Sequence, residues 1–264
     1  MSIKRILSYT MRHVYLYKRS LPRLMEIFYW PLVDILVWGF VSVYLSTTYK
    51  GTLPNFVAFF IGALILWDVL FRSQQAISVS FLEDMWSRNL LNLFVSPLTT
   101  FEYITSLLLI SIMKLILASG VMVLIAYFLY SFNIFTFGMH LIPFIINLVV
   151  MGWAVGIVTM SIILRYGQEA EVLAWGIAFL FQPFSAVFYP VSVLPIFMQK
   201  IAFFVPSSHV FEGMRHVIAS GTLPIENILW ASGLNVVYII AAILFFNWNF
   251  KTIKRDGLLT KVGE

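Results

Sequence analysis

The sequence predicts an all-α polytopic membrane protein, and three observations support this fold class. Of the 264 residues, 61% are hydrophobic and only 11% are charged. Because a soluble domain carries about 25% charged residues, lipid must be the solvent for most of this chain. The apolar runs continue for about 20 residues, the length that crosses a bilayer. Strands of a transmembrane barrel would instead alternate apolar and polar residues over about 10 positions.

Six apolar segments are each near or above the ~20 residues needed to span the hydrocarbon core. The predicted transmembrane helices are 24–45, 56–77, 101–130, 139–164, 170–189 and 227–250. A basic amphipathic helix over 1–23 precedes them, a pattern typical of a helix on an anionic membrane surface. We therefore interpret 1–264 as one transmembrane domain of six spans.

The basic residues predict the orientation, because cytoplasmic segments carry an excess of Lys and Arg. With the N-terminus inside, twelve of the seventeen basic residues are cytoplasmic and three are external. The twelve are Lys4, Arg5, Arg12, Lys18, Arg19, Arg23, Arg88, Arg165, Lys251, Lys254, Arg255 and Lys261. The three are Lys50, Lys200 and Arg215. Both termini are then cytoplasmic, and the basic residues at the ends of spans do not indicate nucleic-acid binding.

The inner loop 78–100 carries an amphipathic pattern that predicts a helix over 81–97. Its apolar stripe consists of Trp86, Leu90, Leu93 and Phe94, and Pro97 ends the helix. Glu83, Asp84 and Arg88 lie off the stripe. Two interpretations remain open for this helix: an interfacial connector, or a docking site for a soluble cytoplasmic partner.

The outer loop begins with PFSAVFYPVSVLP, residues 183–195, where three prolines interrupt an apolar run. Pro190 ends the fifth span because it lacks a backbone donor and clashes with the preceding turn. The apolar run that follows is too short to cross and return. We expect a re-entrant helical hairpin or shallow interfacial helix over 190–215, with a plain outer loop carrying an amphipathic helix as the alternative.

These two loops resemble those of permeases of type-2 ABC exporters, in the drug, nodulation-factor and polysaccharide exporter group. In the inner loop the matching residues are Leu90, Leu91, Ser96, Pro97 and Leu98. In the outer loop they are Phe188, Tyr189, Pro190, Leu194, Pro195, Pro206, His209, Glu212 and Arg215. The sequence departs from the family pattern at Ala186, where glycine is common, and at Asn89 and Asn92, where an acidic residue is common.

The resemblance implies a transport subunit of the bacterial inner membrane that works with a second permease chain and two cytoplasmic ATPases. ATP and Mg²⁺ would be bound by the ATPases, since this chain has no G-x-x-x-x-G-K-[ST] motif and is expected to bind no cofactor. The ATPases would dock on 81–97 and on the N-terminal helix, and 190–215 would cap the outer exit. Surrounding lipids are the remaining expected partner.

Four charged residues lie within predicted spans, where ionisable groups are costly and usually face the protein interior. They are Asp34, Asp68, Arg72 and Lys114. Asp68 and Arg72 are spaced i, i+4 in the favourable order for an ion pair. Asp34 and Lys114 are placed at similar depth, so we predict a second pair. Whether these charges only hold helices together or contact a substrate remains open.

No metal site is expected. His209, Glu212 and His216 share one helical face, but i to i+7 spans about 10 Å, too far to close around one ion. An ion pair between Glu212 and Arg215 is the simpler prediction. The chain also lacks the cysteines of a thiolate site.

The function predicted from the resemblance is ATP-driven export of a lipophilic or amphipathic substrate, such as a drug-like molecule or lipid. A lipid-linked polysaccharide is the alternative substrate. From other classes, an intramembrane enzyme would need a nucleophile or metal set within the spans, and a secondary transporter would usually show internal repeats with paired broken spans.

Overall fold

The computed structural model of the chain describes residues 2–48 and 56–255, and within these ranges every regular element is helical. The helices in chain order are α1 (Ile3–Lys18), α2 (Leu21–Thr48), α3 (Phe56–Trp86), α4 (Leu90–Val95), α5 (Thr100–Tyr130), α6 (Leu141–Tyr166), α7 (Leu173–Ser185), α8 (Ile196–Phe203), α9 (Pro206–Ser220) and α10 (Ile225–Arg255). The predicted all-α class is therefore confirmed for the described part of the chain.

Five of the described helices, α2, α3, α5, α6 and α10, are long and apolar enough to cross a bilayer. The 31 residues of α3 extend about 46 Å at 1.5 Å per residue, which exceeds the ~30 Å hydrocarbon core. These helices make the chain a multi-pass membrane protein. They begin and end close to the predicted spans, except that α3 continues to Trp86, well beyond the predicted end at 77.

The fifth predicted span, 170–189, is not confirmed. The helix at this position, α7, has 13 residues, about 20 Å of rise, which is shorter than the hydrocarbon core. A 3₁₀ turn over Gly167–Ala170 precedes it, and Ala186, with a left-handed φ of 51°, ends it. Hydrophobicity does not reveal where the backbone leaves the helical conformation. The apolar run in the sequence is therefore longer than the helix that forms.

The predicted single helix over 81–97 is wrong. Residues 81–86 form the last turns of α3, and Arg88 then adopts a left-handed φ of 52° that breaks the helix. The amide of Asn89 donates to the carbonyl of Asp84 at 2.9 Å, closing the helix end. Trp86 therefore lies on α3, whereas Leu90 lies on the separate short helix α4, and the predicted apolar stripe is not continuous.

The predicted N-terminal helix over 1–23 is also two elements, because α1 ends at Lys18 and α2 begins at Leu21. The exposed face of α1 is apolar and includes Ile3, Leu7 and Met11. Its buried face carries Tyr9, Thr10 and His13, together with Ile6. The polar side chains of α1 thus pack on the protein, which leaves most of the apolar stripe available to lipid.

Helix α3 is the centre of the bundle, since almost every residue from Phe60 to Met85 is buried. It packs closely on α6 at Gly152 and Gly156, where an added Cβ would lie 2.6 Å and 3.0 Å from backbone oxygens of α3. The two glycines form a small-xxx-small step, GWAVG, which lets the backbones of the two helices approach closely. Helix α10 packs on the other side of α6, where Asn235 donates to the carbonyl and side-chain oxygens of Asn147, both at 2.9 Å.

The bundle has two distinguishable ends. At the α1 end lie α1, α4, the start of α5 and the last turns of α3, α6 and α10, as the bond from Asn249 to Ser161 at 2.8 Å illustrates. At the α9 end lie α8, α9 and the start of α10, where Asn227 donates to the carbonyl of His209 at 3.3 Å. Ser185, at the end of α7, bonds Ser207 of α9 at 2.6 Å, so α7 also reaches that end.

The contact between α3 and α6 predicts the effect of enlarging Gly152. Gly152→Ala places a methyl group 2.6 Å from both the Leu70 carbonyl oxygen and the Ser73 Cβ. We expect this crowding to destabilise the fold by about 1–3 kcal/mol and lower the apparent unfolding temperature of the detergent-purified protein.

The matched control is Gly233→Ala, because a Cβ there meets nothing within 4 Å. That variant gains only the ~1 kcal/mol helix preference of alanine over glycine, so its unfolding temperature should be unchanged or raised. If both variants unfold at the same temperature, the α3–α6 contact is not as close as described.

Candidate functional site

A cavity of about 400 Å³ lies between α2, α3, α7 and the segment that follows α7. It is lined by Asp34, Trp38, Leu64, Trp67, Asp68, Phe71, Met122, Phe179, Gln182, Pro183, Val187, Phe188 and Tyr189. This volume falls in the range of pockets that hold small organic molecules. The lining brings together two of the four charged residues predicted within spans and two residues of the Phe-Tyr-Pro motif.

Six of the thirteen residues that line the cavity are aromatic. The ring of Phe188 stacks on Phe60 at 4.9 Å and on Trp38 at 6.5 Å between centroids, each pair inclined by 23°. Phe179 of α7 contacts Phe71 at 5.1 Å and Trp67 at 6.3 Å. This part of the wall offers apolar area and π faces.

Asp68 and Arg72 form the ion pair that their spacing predicts. The Arg72 Nε donates to Asp68 Oδ1 at 3.0 Å, and its Nη1 donates to the Gln75 side-chain oxygen at 2.8 Å. Both charged residues are 5% exposed. The other oxygen of the carboxylate, Asp68 Oδ2, accepts no hydrogen bond. Asp34, on α2, is near enough to interact electrostatically with this pair.

The predicted pair between Asp34 and Lys114 is wrong. Of the ion pairs among the described residues, none joins these two. The Lys114 ammonium instead donates to Ser80 Oγ at 3.0 Å and lies 4.5 Å from the centre of the Tyr17 ring. The depth argument placed both charges at the same level, but it could not place them on the same side of α3.

The turn after α7 is held by the ion pair predicted between Glu212 and Arg215 of α9, which is confirmed at 2.9 Å. Arg215 Nη1 donates to the carbonyl of Ala186 at 2.8 Å, and Glu212 accepts from the Val191 amide at 2.6 Å. The left-handed conformation of Ala186, at a position where glycine is common, is held by α9 through the Ala186 carbonyl and the Val191 amide. The same contacts position Phe188 and Tyr189 in the cavity wall.

The outer segment beyond this turn forms short helices. Pro190 precedes a 3₁₀ turn over Val191–Val193, Pro195 precedes α8, and Pro206 is the first residue of α9. Neither α8 nor α9 is long enough to cross a bilayer. His209 and His216 bond to separate partners, the Phe203 carbonyl and the Thr222 hydroxyl, and no three-residue metal-binding group occurs among the described residues.

A second polar cluster lies at the α1 end, around the carboxylate of Asp84. Asp84 is fully buried at the end of α3. Its Oδ1 accepts from Arg12 Nη1 at 2.6 Å, and its Oδ2 accepts from the hydroxyls of Tyr9 and, at 3.3 Å, Tyr103. Donors from α1 and α5 therefore converge on one carboxylate of α3.

The neighbouring carboxylate, Glu83, is 8% exposed and is held in the same manner. The Tyr17 hydroxyl bonds both of its oxygens at 3.0 Å, and Arg23 Nε lies 3.2 Å from Oε1. His13 lies between the two acids, 3.6 Å from Glu83 and 3.9 Å from Asp84. We call Glu83, Asp84 and these donors the acidic junction.

Tyr9 and Tyr17 of α1 remain protonated donors in the acidic junction. Burial, with the Tyr103 hydroxyl and the Asp84 carboxylate nearby, raises the pKa of Tyr9 well above its usual value. Burial and the Glu83 carboxylate likewise raise the pKa of Tyr17. Across the physiological pH range these hydroxyls therefore donate to the carboxylates without competing ionisation.

Glu102 fixes α1 to the loop that follows α4. With Thr99 it forms a capping box at the start of α5, and it also accepts from Arg5 Nη2 at 2.8 Å and from the amide of Ser2 at 2.6 Å. A second nitrogen of Arg5 donates to the carbonyl of Pro97. The loop between α3 and α5 is thus bound to α1 at both ends. Asp84 makes the contact at its start, and Pro97 and Glu102 make the contact at its end.

A family comparison decides the class of the protein. The family model described as ABC-2 type transporter matches residues 9–219, most of the chain. The chain belongs to this family. A comparison with curated proteins gave no match. As an ABC-2 type transporter it is the membrane permease component of a transport system, not an ATPase, and permeases of this family normally work with an ATPase subunit.

The residues predicted to dock an ATPase are divided by the permease structure into buried and exposed groups. Glu83 and Asp84 are buried in the acidic junction, and Leu90 is 5% exposed. Leu93 packs on the adjoining core, whereas the side chain of Phe94 lies outside the described part of the chain. Trp86, Arg88 and Pro97 are exposed, and so is Val95, which was not among the predicted residues. The exposed surface of the loop is therefore smaller than predicted.

Two features at the α1 end were missed from the sequence, although each left a signal. The first is the start of α5, because Thr99-x-x-Glu102 has the spacing of a capping box. The second is the set of α1 donors in the acidic junction. Tyr9, His13 and Tyr17 recur at four-residue spacing on α1. That polar stripe was overlooked because the adjacent apolar stripe was interpreted as the informative face.

The acidic junction predicts that Arg12 holds α1 on the bundle of this ABC-2 permease. Arg12→Ala removes the 2.6 Å donor to Asp84 and leaves a buried carboxylate short of one charged partner, at a cost of about 2 kcal/mol. We expect faster hydrogen exchange of the α1 amides in the purified protein, measured by mass spectrometry.

Arg19→Ala is the control, because Arg19 is an exposed arginine just beyond the end of α1. It should leave exchange in α1 unchanged. Equal exchange in the two variants would show that the contact between Arg12 and Asp84 does not position α1.

Proposed function

We propose that this chain forms, with a second permease chain, the path by which an ABC exporter moves a lipophilic or amphipathic molecule across the bacterial inner membrane. A separate pair of cytoplasmic ATPases supplies the energy, and binds the ATP and Mg²⁺ that this chain does not. The observation that carries the proposal is that one continuous helix, α3, lines the cavity and ends in the acidic junction.

The geometry of α3 supports transmission between the two regions. Asp68 lines the cavity and Asp84 lies in the acidic junction, about 24 Å apart at 1.5 Å per residue of unbroken helix. The helix is packed on nearly every side, so a displacement at its end moves the cavity wall with it. ATP binding to the partner then shifts the equilibrium between cavity shapes through differential contacts at the α1 end.

The orientation proposed for the chain places the α1 end in the cytoplasm. The described basic residues outside the spans concentrate at this end, where an inner-leaflet surface would attract them. They are Lys4, Arg5, Arg12, Lys18, Arg19, Arg23, Arg88, Arg165, Lys251, Lys254 and Arg255. At the α9 end the described chain has Lys200 and Arg215, while Lys50 and Lys261 lie outside the described residues. In this orientation the exposed apolar stripe of α1 rests on the inner leaflet.

The exposed part of the loop between α3 and α5 is the proposed docking surface for the ATPase. Val95 is 87% exposed and Trp86 is 46% exposed, and the loop is held at both ends by α1. Trp86 also donates to Glu171 at 3.0 Å and stacks on Trp175 at 6.3 Å. A partner that presses on this surface would therefore act on α3, α5 and α7 together.

The outer segment from Pro190 to Arg215 is proposed to cap the path at the opposite face. Its support is the pair of bonds that tie Ala186 and Val191 to α9 and thereby hold Phe188 against the cavity. Opening the cavity outward would require this turn to move. A lipophilic substrate is favoured over a glycan because ten of the thirteen residues that line the cavity are aliphatic or aromatic.

Co-purification from the native host tests the proposal. The chain, solubilised in mild detergent, should carry a stoichiometric nucleotide-binding subunit. Val95→Asp places a charge at the centre of the proposed docking surface and should abolish that association while the permease itself stays folded.

Val193→Asp is the matched control, because Val193 is similarly exposed, at 68%, but lies at the α9 end. It should retain the ATPase. If the wild-type chain carries no ATPase, or if Val95→Asp retains it in full, the proposed docking is wrong.

A further inference from the structure

We propose that the cavity selects a lipophilic organic cation with a single positive charge, whose charged group lies at Asp34 and Asp68. The inference rests on the proposed function, since it names the substrate class of the same cavity. The cavity has two carboxylates and an aromatic wall, and none of the described residues that line it is Lys or Arg.

The charges around the cavity leave one negative charge without a cation. Arg72 balances one of the two carboxylates through its bond to Asp68 at 3.0 Å. Its remaining contact in the hydrogen-bond network is the neutral Gln75. Lys114, the other basic residue within the spans, lies in a separate pocket with Tyr17. At this depth a net negative charge is costly, and a cationic ligand removes that cost.

The Asp68 carboxylate is incompletely satisfied. Asp68 is 5% exposed. Its Oδ1 accepts a hydrogen bond from Arg72, whereas its Oδ2 accepts none. Buried polar atoms without partners are uncommon in proteins, and they frequently mark a site for an ion or ligand. Oδ2 belongs to a residue of the cavity wall, so the ligand that satisfies it would enter from the cavity.

Asp34 supplies the second carboxylate from the opposite wall. It is exposed on α2 beside Trp38, and an ionised side chain facing lipid at this depth would be strongly unfavourable. Facing a cavity that a cation occupies, the same carboxylate is stabilised. Asp34 and Asp68 line the same cavity, so one cationic centre can be held between them.

The aromatic wall favours the same ligand class. Trp38, Trp67, Phe71, Phe179 and Phe188 present ring faces, and cations are attracted to such faces by the ring quadrupole. The rings also accept the apolar body of the ligand. The Tyr189 hydroxyl already donates to the carbonyl of Pro183 at 2.9 Å. The other lining donors, on Trp38, Trp67 and Gln182, are neutral, so none supplies the positive charge that would favour an anion.

Binding of two probes with matched shape and opposite charge tests the inference. Tetraphenylphosphonium and tetraphenylborate have the same four phenyl groups and differ in the sign of their charge. Binding of each to the full chain in lipid nanodiscs, after subtraction of empty nanodiscs, should show tetraphenylphosphonium bound at least tenfold more tightly. Asp34→Asn should weaken that binding by at least tenfold.

The variants separate recognition from folding. Asp68→Asn also loses the Arg72 pair, so Asp34→Asn, on an exposed face of α2, carries the test. Glu26→Gln is the control, because Glu26 lies on the same helix but lines the separate pocket with Lys114; it should bind like wild type. The assay uses neither ATP nor a partner, so its result is independent of whether an ATPase co-purifies.

Three outcomes would overturn the inference. Equal or tighter binding of tetraphenylborate would exclude selection for cations. Binding of tetraphenylphosphonium that is unchanged in Asp34→Asn would place the cation elsewhere. Absence of saturable binding of either probe would show that the cavity does not take a molecule of this class, even if the ATPase association is intact.

Discussion

Burial of the Glu83 and Asp84 carboxylates at the end of α3 is the constraint on which the arrangement of the α1 end depends. An ionised carboxylate removed from water costs several kcal/mol unless charged or hydrogen-bonding partners replace the water. Here the partners are Tyr9 and Arg12 of α1 and Tyr103 of α5, together with donors from the start of α2. The hydrogen-bonding needs of Glu83 and Asp84 therefore set the positions of α1, α2 and α5 relative to α3.

The same physical rule is only partly satisfied in the cavity, and the contrast is informative. Asp84 uses both oxygens, whereas Asp68 uses one and relies on an arginine one turn along its own helix. A carboxylate whose two oxygens both accept hydrogen bonds holds the neighbouring helices in place. A carboxylate with one unbonded oxygen and a second acid nearby can still bind a ligand. Because both residues lie on α3, the fixed region and the region with binding capacity belong to one rigid helix.

The fold class, the long helices, and two ion pairs could be predicted from the sequence, because these depend on composition and on i to i+3 or i+4 spacing. The pair of Asp68 with Arg72 and the close approach at Gly152 are examples. The break at Arg88 could not be predicted, since one left-handed residue leaves no trace in hydrophobic periodicity. The failed pair of Asp34 with Lys114 has a related cause: depth follows from residue number, but the side of a buried helix follows from tertiary packing.

The break at Arg88 also explains how a short loop can act on several helices. If α3 continued through the loop, a partner pressing there would bend one helix about its axis. Instead the loop is held at its entry, where α1 binds Asp84, and at its exit, where Arg5 binds the Pro97 carbonyl and Glu102. Both attachments are to α1, so a displacement of the loop is shared by α1, α3 and α5. Under the proposed docking, the α1 end would move as one body, and the cavity wall on α3 would move with it.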